Sequence, residues 1–213
     1  MNDTIKTAME NCRKNNMEVH FAEKKEDIPE IVKGLLNKGD TISCGGSVTL
    51  SECGVTELMK STDYNFLDRT AEGLTRRDIL SIYEKTFSAD AFLTSANAVT
   101  KDGQLINVDG NGNRVAAITF GPKSVICVVG FNKIVEDVRE GFHRVKTVAA
   151  PKNAVRLHAE TPCKTLGHCI YPDGDIATGC GSPDRLCAHY VVTGFQRVKN
   201  RIKVIFCAEQ LGY

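Results

Sequence analysis

Four cysteines late in the chain, Cys163, Cys169, Cys180 and Cys187, are separated by five, ten and six residues within a stretch that has no hydrophobic period. Thiolates bind zinc or iron in fours, and the ligand bonds supply the ordering energy that an apolar core would otherwise provide. The segment is therefore read as a metal site. Soft sulfur donors suit zinc and an iron-sulfur cluster alike, so the spacing leaves both open. His168 and His189 beside it are alternatives for a single ligand position. The other five cysteines, Cys12, Cys44, Cys53, Cys127 and Cys207, fall in apolar elements, where small buried thiols are common.

A second group of reactive types is packed into six residues, Asp109-Gly110-Asn111-Gly112-Asn113-Arg114. It holds a carboxylate, two amides, two glycines and a guanidinium. With a helix starting near Asn113, Arg114 falls in the first turn, where a cation opposes the helix dipole unless an anion lies nearby. That argues for an anionic ligand. Gly45-Gly46-Ser47 offers bare backbone and a hydroxyl, residues 94–97 add two hydroxyls and the amide of Asn97, and Lys133 adds a second positive charge. In this reading Arg114 and the Gly45-Gly46-Ser47 turn hold a carboxylate, while Asp109 orients a hydroxyl or acts as a base. The competing readings are structural: Asn111-Gly112 as a plain turn and Lys133 as a solvated surface lysine.

These residues need a frame. Helical spacing of Ile28, Ile31, Val32, Leu35 and Leu36 marks residues 27–37, and residues 4–15 and 76–87 read the same way. Residues 41–44, 65–68, 91–95, 104–109 and 124–129 read as strands, 48–60 as a helix broken near Gly54, and 134–148 as another helix. Apolar strands alternating with helices predict an open, mostly parallel sheet covered on both faces, an α/β fold with its ligand site beyond the carboxyl ends of the strands. The domain reading is 1–150 for the α/β unit, 151–189 for the Cys-rich loop, and 190–213 for a C-terminal β-hairpin formed by runs 190–197 and 203–208.

Lys and Arg total 27 against 26 Asp and Glu, so the chain has no field to hold a polyanion, and nucleic acid is not expected as a partner. No apolar run approaches the roughly 20 residues of a membrane helix, and the N-terminal residues lack a signal or transit pattern. The expected setting is the cytoplasm, with no membrane partner. Nine cysteines in a reducing compartment point to metal or redox chemistry rather than disulfides. Association into an oligomer is compatible with all of this.

Read in order, SCGGSVTLSECG (43–54), FLDR (66–69), DAFLTSANAVTKDGQLINVDGNGNRVAAITFGP (90–122), VVGFNKIV (128–135), TPC and SPDRLC resemble the LUD-domain family, which includes the lactate utilization protein of bacterial lactate operons. The resemblance covers nearly the whole chain. It implies a fold like that of sugar-phosphate isomerases and CoA-transferases, and a role in oxidising lactate to pyruvate as one subunit beside iron-sulfur partners. Gly45, Gly46, Ser47, Asn97, Asp109, Asn111, Asn113, Arg114 and Lys133 match family motif positions. The ten residues between Cys169 and Cys180 are more than short members of the family often carry there. No full G-x-G-x-x-G fingerprint follows the first strand, so a self-contained dehydrogenase is not expected. Three functions remain: a substrate-binding subunit of a lactate-type oxidoreductase; an isomerase- or transferase-like enzyme on a phosphorylated or CoA-linked substrate; or a zinc-stapled regulatory protein.

Overall fold

A computed structural model describes residues 2–213. The chain alternates helices α1 (Asp3–Lys14), α2 (Ile28–Gly34), α3 (Val48–Glu52), α4 (Val55–Met59), α5 (Arg76–Thr86) and α6 (Asn113–Thr119) with strands β1 (Glu18–Ala22), β2 (Thr41–Cys44), β3 (Asn65–Phe66), β4 (Ala91–Thr94), β5 (Ala98–Thr100) and β6 (Leu105–Asp109). There follow β7 (Ser124–Gly130), β8 (Ile134–Val135), α7 (Val138–Arg144), α8 (Ala150–Arg156), α9 (Pro162–Leu166), β9 (His189–Thr193) and β10 (Ile202–Cys207). A π-helical turn, Val145–Ala149, joins α7 to α8.

Six strands form one sheet in the order β1-β10-β7-β4-β2-β3, and every neighbouring pair is parallel. β4 and β7 are buried almost throughout, so their apolar runs face helices on both sides, as parallel strands require. One face carries a core of Ile5, Met9, Phe92, Val125, Val204 and Phe206 under α1 and α6; the other carries Ile28, Val32, Leu50, Met59, Leu93 and Ile205 under α2, α3 and α4. The expected α/β architecture, a mostly parallel sheet flanked by helices, is the one found.

The C-terminal runs do not form the expected hairpin. β10 inserts between β1 and β7 in the main sheet, while β9 pairs antiparallel with β6 in a second, four-stranded sheet ordered β8-β5-β6-β9. Burial explains the division: five of the six β10 residues are buried, which only a central position can satisfy, whereas β9 is half-exposed and takes an edge. The α/β unit expected over 1–150 is therefore closed by a strand from beyond residue 200. Further elements went unanticipated: the edge strand β1, the short strands β5 and β8, the latter at the start of the expected 134–148 helix, and the helices α8 and α9. Among the described residues, no helix is long and apolar enough to cross a membrane.

Candidate functional site

Four adjacent parallel strands, β10, β7, β4 and β2, end at the same edge of the sheet, and the residues that follow them face one cleft. Gly46-Ser47 follows β2, Ser95-Ala96-Asn97 follows β4, Lys133 follows β7, and Tyr213 lies beyond β10. The cleft encloses about 700 Å³, and Asp109, Asn111, Asn113 and Arg114 form part of its wall. Of the ligand and catalytic residues expected from the sequence, all but Gly45 and Gly112 line it. Gly112 is the N-cap of α6 at φ 80°, packed against the His189 ring. Gly45 lies behind Arg114, where a Cβ would come within 2.8 Å of the Arg114 Cδ.

Arg114 and Asp109 meet directly. The guanidinium donates through Nε to Asp109 Oδ1, through Nη1 to Ser95 O and Asn107 Oδ1, and through Nη2 to Asn97 Oδ1 and Val108 O. These contacts engage all five of its N–H positions. The second Asp109 oxygen accepts the Val115 amide at 2.8 Å, inside the first turn of α6. The anion that a first-turn arginine calls for is thus the protein's own carboxylate. The Asn97 Oδ1 also accepts the Val108 amide, tying the end of β6 to the loop after β4.

The cations that face the cleft without an acid are others. Arg69 Nη2 lies 3.0 Å, and Arg156 Nη2 3.7 Å, from the point where a Gly46 Cβ would stand, so a side chain at Gly46 would fill the space between two guanidiniums. Among the described residues neither arginine forms an ion pair. Arg69 donates to the Tyr83 hydroxyl at 3.1 Å and keeps a buried Nε without a partner; Arg156 bonds Asn153 and the Tyr213 hydroxyl. Two like charges aimed at one point repel each other, and an anion between them reverses the sign of that energy. Arg69 stands in the FLDR motif, a signal within reach of sequence reading; Arg156 sits in a helix with no local mark.

Lys133 is not a surface lysine. It is 3% exposed, and its Nζ donates to Thr49 Oγ1 at 2.8 Å and Ser95 Oγ at 2.9 Å. Burial, with the nearby positive charges of Arg144 and Arg114, pushes its ammonium down to about 7.

The four late cysteines gather beside the cleft. Cys187, Cys180 and Cys169 all lie close enough to Cys163 to raise its thiol, after burial, which contributes most. The Tyr171 amide points at Cys169 Sγ at 3.4 Å, and Thr161 Oγ1 lies 3.3 Å from Cys163 Sγ. As a donor set these thiols fit a soft metal, although no three His, Cys, Asp or Glu side chains among the described residues close into a ligand shell. The loop between Cys180 and Cys187 supplies Pro183, Asp184, Arg185 and Leu186 to the cleft wall. Burial pushes Cys12 and Cys127 up to about 12 and Cys44 and Cys53 to about 11, which disfavours their thiolate forms.

A DUF162 family protein from Deinococcus radiodurans is similar over 97% of each chain, with 18% identity and a TM-score of 0.54. Looser likenesses join it to ribose 5-phosphate isomerase A from Methanocaldococcus jannaschii, with 14% identity over 82% of this chain and 80% of that one at a TM-score of 0.39. The corresponding isomerase of Neisseria gonorrhoeae shows 13% identity over 54% of each chain at a TM-score of 0.37. No curated protein matches the sequence. The family model described as the LUD domain matches residues 5–207, and the chain belongs to that family.

Proposed function

We propose that the cleft binds a small organic anion of the 2-hydroxy or 2-oxo acid class, as lactate-utilization-type proteins of this family imply, and that the chain is the substrate-holding subunit of a redox assembly with iron-sulfur protein partners. The observation that carries this reading is the convergence of Arg69 and Arg156 over Gly46 with no acid between them. A carboxylate placed there accepts charge-assisted hydrogen bonds from both. Asp109, Arg114 and Asn97 then serve as the frame that fixes the wall, since their bonding capacity is turned inward. Lys133 lines the cleft with its Nζ on the hydroxyls of Thr49 and Ser95, and with its ammonium disfavoured by burial it is placed to take a hydroxyl proton. Cys163, Cys169, Cys180 and Cys187 are the residues that would hold an iron-sulfur cluster or zinc. A cluster would supply single-electron transfer next to the substrate, whereas zinc would act as a staple for the wall.

Calorimetric titration with lactate and with pyruvate tests the anion site. Arg69→Ala and Arg156→Ala should each weaken binding by about tenfold or more, the scale of a lost hydrogen bond to a charged group. Unchanged affinity in both variants sinks the reading. The same pair of guanidiniums also fits a phosphate, which favours a second reading as an isomerase- or transferase-like enzyme on a phosphorylated substrate. Inorganic phosphate binding tightly where lactate does not would select it.

A further inference from the structure

Among the described residues two lysines are deeply buried, and they are held in opposite ways. Lys146, 2% exposed, donates to the main-chain oxygens of Gly174 and Asp175, strong acceptors that favour an ammonium. Lys133 meets only the hydroxyls of Thr49 and Ser95. The Ser95 hydroxyl in turn donates to Ala96 O at 3.3 Å, so its free electron pair is the one turned to the lysine. A neutral amine has two N–H groups and one lone pair. Giving both N–H groups to the two hydroxyls leaves the lone pair as the third arm of the nitrogen, on a side chain that lines the cleft. Hydroxyls satisfy this form in full, and among the described residues no acid pairs with Lys133 to hold the proton.

We propose that Lys133 is a covalent site for 2-oxo acids, joining their keto carbon to its Nζ as an imine. The inference rests on the anion-binding reading of the cleft, with Arg69 and Arg156 taking the carboxylate. The amine lone pair attacks the keto carbon, a C–N bond forms, and the carbonyl electron pair moves to oxygen. The amine's two protons leave with that oxygen as water, and the C=N bond closes. No electron is transferred, so neither oxidant nor metal enters the step. Buried lysines freed of their proton are suited to this chemistry. The groups that face Lys133 set its pH dependence: Arg144 and Arg114 disfavour the ammonium, Glu52 opposes them, and Cys127 is a buried thiol.

The test is reductive trapping of the full chain with pyruvate and cyanoborohydride, followed by intact mass and peptide mapping. The expected result is one adduct per chain, heavier by pyruvic acid less one oxygen, on the peptide carrying Lys133, and absent from Lys133→Arg. Lys133→Met, a neutral side chain of similar length, should lack the adduct while keeping the wild-type circular dichroism. An absence of adduct in the wild type overturns the proposal, as do adducts scattered over surface lysines at equal levels in wild type and Lys133→Arg. Lactate has no keto group, so its titration reads the anion site alone. Arginine-dependent lactate binding without an adduct removes the imine and leaves the proposed function standing. A Lys133 adduct that forms equally fast in an Arg69→Ala, Arg156→Ala double variant supports the imine and removes the arginine reading.

Discussion

Lys133 stands in the sequence between an asparagine and an isoleucine, with nothing around it to separate a buried amine from a solvated one. Its fate is set by Thr49 and Ser95, 84 and 38 positions away. The burial has a consequence for stability. The folded-state value lies near 7 and the ordinary one is 10.5, so between them the unfolded chain binds the extra proton and stability rises with pH. Below about 7 both states are protonated and the dependence ends. The difference in unfolding free energy between wild type and Lys133→Met should therefore shift in favour of wild type from pH 7 towards 10.5. The shift should be on the order of a few kcal/mol, read by denaturant titration at a series of pH values. The cysteines are common to both proteins and cancel. Arg69 and Arg156 tell the same story: each is one polar residue among 27 Lys and Arg, and only their meeting over Gly46 gives them a role.

Elements show how the fold ties local signals together. α1 docks its last turn on the β5–β6 turn, where Asn11 Nδ2 donates to Lys101 O and Asn15 Nδ2 to Asp102 O. Gly103, at φ 76°, makes this possible. A Cβ there would lie 2.4 Å from Cys12 N and 2.5 Å from the Asn11 carbonyl carbon, both backbone atoms of α1. Gly103→Ala should lower the unfolding free energy by about 1–3 kcal/mol or more, from overpacking and the left-handed φ together, measured as a fall in the denaturation midpoint. The metal-binding reading of the Cys-rich segment makes a different prediction, because on that reading its thiols hold an ion or cluster. Cys180→Ser should reduce bound metal in anaerobically purified protein to a fraction of the wild-type amount, while the far-ultraviolet circular dichroism of the sheet persists. Iron with a visible band near roughly 400 nm would favour a cluster, and stoichiometric zinc would rule out electron transfer through this segment.

At the scale of the whole molecule, the placement of β10 decides what a truncation does. Were the C-terminal runs an appended hairpin, a chain ending at Arg201 would keep its main sheet. Because β10 lies between β7 and β1, that chain loses both ladders and the side chains of Val204, Ile205 and Phe206 from two cores. It should fail to fold cooperatively, seen as loss of the thermal unfolding transition. The same topology explains the cleft, since β10 brings its following residues to the edge where β2, β4 and β7 already end. The apolar run at 203–208 carried the signature of a strand buried on both faces, but its neighbours in the sheet lie about 80 and 180 residues earlier.

The sequence by itself determined the kinds of element and most of their places: the strand-to-glycine turn at Cys44-Gly45, the helix break at Gly54, the strand ending at Asp109, and the clustering of four cysteines. These are local properties, written in periodicity, turn residues and spacing, and they sufficed for a parallel α/β sheet with a cleft at its carboxyl edge. The Asp109–Arg114 pair closes locally, within the β6–α6 turn, but tertiary structure alone decided which strand lies beside which, and so buried Lys133 and aimed Arg69 and Arg156 at one point. Pairing and convergence depend on contacts between residues far apart in the chain. Charge, burial and hydrogen bonding at each site follow from those contacts and not from its sequence neighbours.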